Sequence, residues 1–239
     1  MKLRVMTYNI QHGRVHRAEP ARIDLDLMAD VIRECGADVV GLNEVRGAGE
    51  SEDYTAQTEI IASRLGFHSY FGRSIYVDGY NPYGNAILSR WPILEARVVR
   101  IPDPVRDDHP YRESRTVSRA VIELPDGRRF AMLCSHFGLS PFEQEHAVTT
   151  ASELLRAENL PYAMTGDFNM TPDDPLLAPI NAVARSTDDL LAGGQTFPSH
   201  APEKKIDYIY LSRDARVVSA GIVERMASDH FPVFADIEI

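Results

Sequence analysis

The chain has 239 residues, 44% of them hydrophobic and 25% charged, and carries a net charge of −10 at neutral pH. That length supports one large domain with a sizeable core, and no apolar run approaches the ~18 residues that cross a bilayer. The acidic balance argues against a broad electrostatic grip on nucleic acid. The two cysteines, Cys35 and Cys134, lack metal-site spacing, which excludes a zinc–cysteine cluster.

Residues 1–6 run straight into strand-like sequence without the h-region of a secretory signal, so a cytoplasmic location is expected and both cysteines are read as reduced core residues. Residues 2–10 are β-rich. Residues 22–35 place Ile23, Leu27, Val31 and Cys35 at helical spacing, with Gly36 as the stop. A short apolar strand follows at 37–45, then a helix at 54–65 closed by Gly66. The middle of the chain reads as successive strands at 85–89, 93–101, 115–124 and 129–136, the last two joined by the turn signal Pro125-Asp126-Gly127. Residues 142–158 are helical, and strands return at 161–167, 206–212, 217–223 and 233–239. No linker or repeat interrupts this pattern, so 1–239 is read as a single α/β domain. Two packed mixed sheets and one large open sheet both accommodate the order.

Several strands end in polar residues that a buried strand has no reason to contain: Thr7-Tyr8-Asn9, Leu42-Asn43-Glu44, Ser135-His136 and Gly166-Asp167-Phe168-Asn169. Lys205-Ile206-Asp207-Tyr208 and Ser228-Asp229-His230 add two more. Each alone has a plain structural explanation as a turn former, cap or surface pair; their joint order carries the argument. Groups of this kind at strand mouths can converge on one rim. The set is rich in oxygen and free of cysteine, which suits Mg²⁺ or Mn²⁺ better than Zn²⁺.

With Tyr83-Gly84-Asn85-Ala86-Ile87-Leu88-Ser89-Arg90 and Ser118-Arg119 added, these motifs resemble, in order, those of the endonuclease/exonuclease/phosphatase superfamily, the DNase I-like group. The resemblance spans residues 7–230 and implies a four-layer α/β/β/α sandwich of two packed mixed β-sheets flanked by helices. It also implies roles. Glu44 is similar to the principal metal ligand, with Asn9 and Asp229 as metal-side partners. Asp167 and Asn169 resemble the pair that orients the attacking water. His230 resembles the imidazole that acts as base or stabilises the phosphoryl oxygens, Asp207 the carboxylate that holds it, and His136 the second active-site histidine. Arg119 and Asn85 are expected to bind substrate or support the site. Two departures are visible. Asn43 stands where many members carry glutamine. Ala120 follows Arg119 where the DNase I-like branch has a glutamate, which weighs against a strong general-acid role for His136.

The expected function is hydrolysis of a phosphodiester or phosphomonoester of a small-molecule or lipid-like substrate by water attack. The cation is expected to offset charge on the phosphoryl group, and an imidazole and carboxylate to share the proton transfers. A nuclease or nucleic-acid repair phosphodiesterase is the alternative, and a catalytically inactive binding protein is the reading least expected. Residues 47–53, 75–83 and 102–115 are the expected substrate-facing loops; Tyr76, Tyr80 and Tyr83 in the second are read as packing residues. Six arginines fall in one stretch, Arg97, Arg100, Arg106, Arg112, Arg115 and Arg119, but acids interleave with them. Extended duplex DNA is therefore not an expected partner.

Overall fold

The computed structural model describes residues 1–105 and 112–239, so Arg106 and its acidic neighbours Asp107 and Asp108 lie outside the described residues. Strand alternation builds the core. One six-stranded sheet runs in the order β11 (Arg216–Ile222), β12 (Val233–Glu238), β1 (Lys2–Asn9), β2 (Val39–Arg46), β4 (Asn81–Ser89), β3 (His68–Val77). The other runs β5 (Ile93–Arg100), β6 (Thr116–Glu123), β7 (Arg129–Ser135), β8 (Tyr162–Asp167), β10 (Asp207–Leu211), β9 (Arg185–Ser186). Each sheet is mixed: β1–β2 and β7–β8 are parallel, and the other pairs are antiparallel.

Successive side chains leave opposite faces of a strand, so each strand feeds two cores. Leu3 and Val5, with Ile87, Met132, Cys134, Ala163 and Ile209, fill the space between the sheets. Met6 and Tyr8, with Val40 and Leu42, turn the other way onto α1 (Leu25–Cys35) and α2 (Gln57–Leu65). Leu133, Met164, Tyr208 and Tyr210 meet α3 (Pro141–Ala157) and α4 (Ala178–Asn181) on the far side. Three interlayer cores make a four-layer sandwich, as expected, and exclude the single open sheet.

Local signals fix the helices. Asp24 caps α1 by accepting from the Leu27 amide, and Gly36 ends it in the left-handed conformation. Ser140 and Glu143 form a capping box on α3. Two strands were not foreseen, the two-residue β9 and the edge strand β3. β3 pairs with β4 along its length, so 75–83 is the tip of a hairpin around Asp78-Gly79, both at positive φ, and not a free loop. Its residues are mostly half-buried or exposed because β3 lies at the sheet edge, and such a strand lacks the apolar run that reveals its neighbours.

The strands come closest where small residues meet. A Cβ added to Gly41 would lie 2.1 Å from Thr165 Oγ1 of the opposite sheet. Gly166, at φ +152°, admits the Ser135 carbonyl oxygen to 1.8 Å of the position a Cβ would take. No side chain can move to relieve that contact, because the obstacle is backbone. Gly166→Ala is expected to cost at least about 2 kcal/mol of unfolding free energy in urea denaturation. A loss of only a few tenths would show that β7 and β8 can part there.

Candidate active site

The inward-facing rows of both sheets change from aliphatic to polar toward one end of the sandwich. In β1 the row reads Leu3, Val5, Thr7, Asn9; in β8 it reads Ala163, Thr165, Asp167; in β10, from the other end, Leu211, Ile209, Asp207. Asp167 and Asp207 are direct cross-strand partners, so their side chains share a face. His136 directly follows β7, and Asp229-His230 precede β12 in a loop.

A bulge sets the position of Glu44. Between Leu42 and Val45, β2 carries one residue more than β4 opposite. The extra residue reverses the alternation, so Val45 stays in the helix-side core while Glu44 and Arg46 both line the cleft. Glu44 is left at φ 58°, and Asn169 across the site at φ 53°. Two non-glycine residues held in this sparsely populated region on one cleft are the kind of strain that collects at functional sites.

Asn43, buried between the sheets, ties the site to the fold. Its Oδ1 accepts from the Asp167 amide at 2.9 Å, and its Nδ2 donates to Asn85 Oδ1 at 2.8 Å and to the Ser135 carbonyl at 3.0 Å. Asn9 Nδ2 donates to Glu44 Oε1 at 3.0 Å and to Asp167 Oδ2 at 3.1 Å. The Tyr83 hydroxyl donates to Glu44 Oε2 at 3.0 Å. Tyr83 therefore works as a hydrogen-bond donor to the site, beyond the packing role read from sequence.

His230 Nδ1 lies 3.0 Å from Asp207 Oδ2, and its Nε2 lies 3.6 Å from Asp167 Oδ2. Phe197 packs against the ring at 4.7 Å between centroids. Burial pushes this imidazole toward neutrality, but the Asp207 and Asp167 carboxylates outweigh it and hold its pKa up at about 10. Burial raises Asp167 to about 7, with Asp207 adding and His230 opposing. Burial also raises Glu44, with the charge of Asp229 adding to it.

His136 behaves oppositely. Burial and the Arg115 guanidinium hold its pKa well below the ordinary histidine value. Arg115 Nη1, which can only donate, lies 3.2 Å from His136 Nδ1. Asn169 Nδ2, also a donor, lies 3.1 Å from His136 Nε2, and a neutral ring accepts from only one of the two; Nε2 also lies 3.5 Å from Asp167 Oδ2. Asn169 Nδ2 donates to the Phe137 carbonyl at 3.0 Å beside the same ring. These groups floor a cleft of about 520 Å³.

Of the residues named from sequence, Glu44, His136, Asp167, Asn169, Asp229 and His230 line this cleft. Asn9 and Asp207 lie behind them, bonded to Glu44 and His230. Asn85 is buried on the scaffold side, holding Asn43 and donating to the Thr116 carbonyl. Arg119 does not line the cleft; its guanidinium pairs with Glu158 at 2.7 Å. Two arginines line the cleft, Arg46 and Arg115; Arg115 was read from sequence as the end of the 102–115 loop and part of the diluted basic stretch, not as a site residue. Its signal was position, immediately before β6, at the same end of the sandwich as the other strand-end polar groups.

Among the described residues, Asp167, Asp207 and His230 bring one donor atom each to within 4.8 Å of one another, close enough to hold an ion. With His230 protonated, that trio already contains its own counter-ion. Glu44 and Asp229 form no ion pair with arginine or lysine among the described residues. They are the carboxylates left to face a cation, and their oxygen chemistry fits a hard divalent one.

The folded state keeps the His230 proton up to about pH 10, whereas an unfolded histidine releases it near 6.5. His230 therefore contributes stability that is complete below about pH 6.5 and is lost as pH rises toward 10. Urea denaturation in excess chelator is expected to show this decline in the wild type and a flatter profile in Asp207→Asn. A wild-type stability that rises over that window would contradict the pairing.

A model of the endonuclease/exonuclease/phosphatase family matches residues 6–230. YbhP of Escherichia coli K12, described as uncharacterized, is 28% identical over 260 aligned residues, which take in 99% of this chain and 96% of that protein. The crystal structure of an endonuclease/exonuclease/phosphatase from Beutenbergia cavernae shares the fold with a TM-score of 0.85 at 24% identity, covering 100% of this chain and 72% of the other. A mannosyl-6-phosphatase from Bacteroides thetaiotaomicron shares it with a TM-score of 0.75 at 19% identity, covering 99% and 100% respectively. The chain belongs to the endonuclease/exonuclease/phosphatase family.

Proposed function

We propose that the protein is a divalent-metal-dependent phosphoesterase that hydrolyses an ester of a small or lipid-like phosphorylated molecule by water attack. One observation carries this reading: the His230 imidazole is buried between Asp207 and Asp167, beside two partly buried carboxylates, Glu44 and Asp229, that pair with no arginine or lysine among the described residues. Carboxylates partly withdrawn from water with no cation partner are costly, and a phosphate-binding cation is the group that would offset that cost.

Glu44 and Asp229 would hold the ion, with Asn9 fixing Glu44. The ion, when bound, supplies positive charge to the phosphoryl group and its leaving oxygen. His230, already charged at neutral pH, acts as a hydrogen-bond donor to a phosphoryl oxygen; Asp207 holds its Nδ1 side and so aims Nε2 at the cleft. Asp167, whose proton affinity lies near neutrality, is the group suited to accept a proton from water. Asn169 is fixed through its side chain to Phe137 and through its carbonyl to Gln144, and orients that water. His136, held neutral by burial and Arg115, lines the cleft as a polar contact for the substrate that need not change charge.

The cleft volume falls in the range of small-molecule sites. The mannosyl-6-phosphatase of B. thetaiotaomicron, similar in fold, acts by its name on a phosphorylated sugar. Outside the cleft, two arginines of the basic stretch are engaged internally: Arg100 pairs with Asp103 at 2.7 Å, and Arg112 donates to the Pro104 carbonyl. Such arginines offer no groove-length track for duplex DNA.

A phosphate-ester panel assayed with Mg²⁺, Mn²⁺ and chelator tests the reading. Turnover is expected with metal and not with chelator, and Glu44→Ala or His230→Ala should each lower kcat by at least about 100-fold. Metal-dependent nicking of intact plasmid at low enzyme concentration, lost in the same variants, would replace this reading with that of a nuclease. Turnover unaffected by chelator would overturn the metal-dependent mechanism.

A further inference from the structure

The bulge that turns Glu44 into the cleft turns Arg46 there as well, and none of the steps above uses Arg46. Its side chain is only 14% exposed and its guanidinium lies 4.6 Å from the centre of the Tyr54 ring. Its ion-pair partner is Asp53, at 2.6 Å, whose side chain is 53% exposed on the connection between β2 and α2. Arg46 Nε is buried without a hydrogen-bond partner, and so is Nδ1 of His12, which lines the same wall of the cleft. The backbone beneath is rigid. Gln57, fully buried, accepts from the Arg46 amide at 3.0 Å and donates to the His12 carbonyl at 2.7 Å.

An arginine kept only for stability would be a poor arrangement. A buried guanidinium costs several kcal/mol of desolvation, on the order of that for any ion, unless its donors are satisfied. Contacts from one nitrogen, Nη1, to the solvent-exposed carboxylate and the carbonyl of the same Asp53 return little. The arrangement has the parts of an anion receptor: a planar cation, backed by an aromatic face, held at its edge by the exposed Asp53. It lies two residues from Glu44 in the same cleft.

We propose that Arg46 receives a second phosphate of the substrate, Asp53 giving way to it, so that the preferred substrates are small molecules carrying two phosphates. This rests on the phosphoesterase reading of the same cleft and narrows its substrate class. The first phosphate faces Glu44, Asp229 and His230; the second faces Arg46 with His12 beside it. Two phosphates on one small molecule add a contact without a groove, which is how an acidic chain gains affinity for an acidic ligand.

The test is equilibrium binding by calorimetry with Mg²⁺ present, using alkane-α,ω-bisphosphonates of two to six methylenes against propylphosphonate. In the wild type, the best-fitting bisphosphonate is expected to bind at least about tenfold tighter than propylphosphonate. Arg46→Gln should abolish that preference, and Arg46→Lys should keep part of it. Asp53→Asn, which removes the competing carboxylate, should raise it about threefold, and this opposite sign keeps the proposal testable if Arg46→Gln folds poorly. No preference anywhere in the series, a preference that survives Arg46→Gln, or a loss of preference in Asp53→Asn would each overturn it. Phosphonates are not hydrolysed, so binding is read apart from turnover. An active enzyme without the preference rejects this inference alone, and a preference in a protein inert toward every phosphate ester rejects only the proposed activity.

Discussion

Charge buried between the two sheets is the constraint on which the rest of this structure depends. Asp167, Asp207 and His230 are removed from water at the mouth of the inter-sheet core. Buried ions persist only when paired and hydrogen-bonded. The pairing demands that β8 and β10 run side by side in the register that sets Asp167 opposite Asp207. It demands that the loop before β12 return His230 above them. Gly166 is the local consequence: β7 and β8 must approach closely just before Asp167, and only a residue without Cβ permits the Ser135 carbonyl to come so near.

The same constraint explains why Asn43, and not an aliphatic residue, occupies an inward position in mid-sandwich. Its amide spans both sheets, holding the Asp167 backbone on one side and Asn85 on the other. Rigid support for Glu44, Asp167 and His230 therefore comes from groups that never reach the cleft. The bulge in β2 completes the arrangement, because it redirects two successive cleft residues while leaving Val45 in the helix-side core. A site assembled in this way places carboxylates on the β1–β2 sheet against a histidine–aspartate array held by the β8–β10 sheet, with the cleft between.

Much of this was legible in the sequence because period-2 alternation and polar strand ends report on a sandwich directly. Asn9, Glu44, Asp167, Asp207 and His230 each close or open an apolar strand, and the structure brings all five to one rim. What the sequence could not convey is side-chain direction after an irregularity. Arg46 looks like an outward residue by simple alternation, and only the bulge makes it a cleft residue. Arg119 carried the motif resemblance, yet it turns to Glu158, while Arg115 reaches His136. β3 was invisible because an edge strand that is half wet has no continuous apolar signature. The hairpin it forms with β4 changes the meaning of Tyr83 from loop packing to a direct bond with Glu44.

The central claim is that a divalent cation is held by Glu44 and Asp229, with the Asp167–Asp207–His230 trio kept apart as a charged donor and base. Anomalous diffraction from crystals soaked in Mn²⁺ tests it most directly. The account predicts a peak against the Glu44 and Asp229 carboxylates. A sole peak enclosed by Asp167, Asp207 and His230, or no ordered ion in the cleft at saturating Mn²⁺, would contradict it.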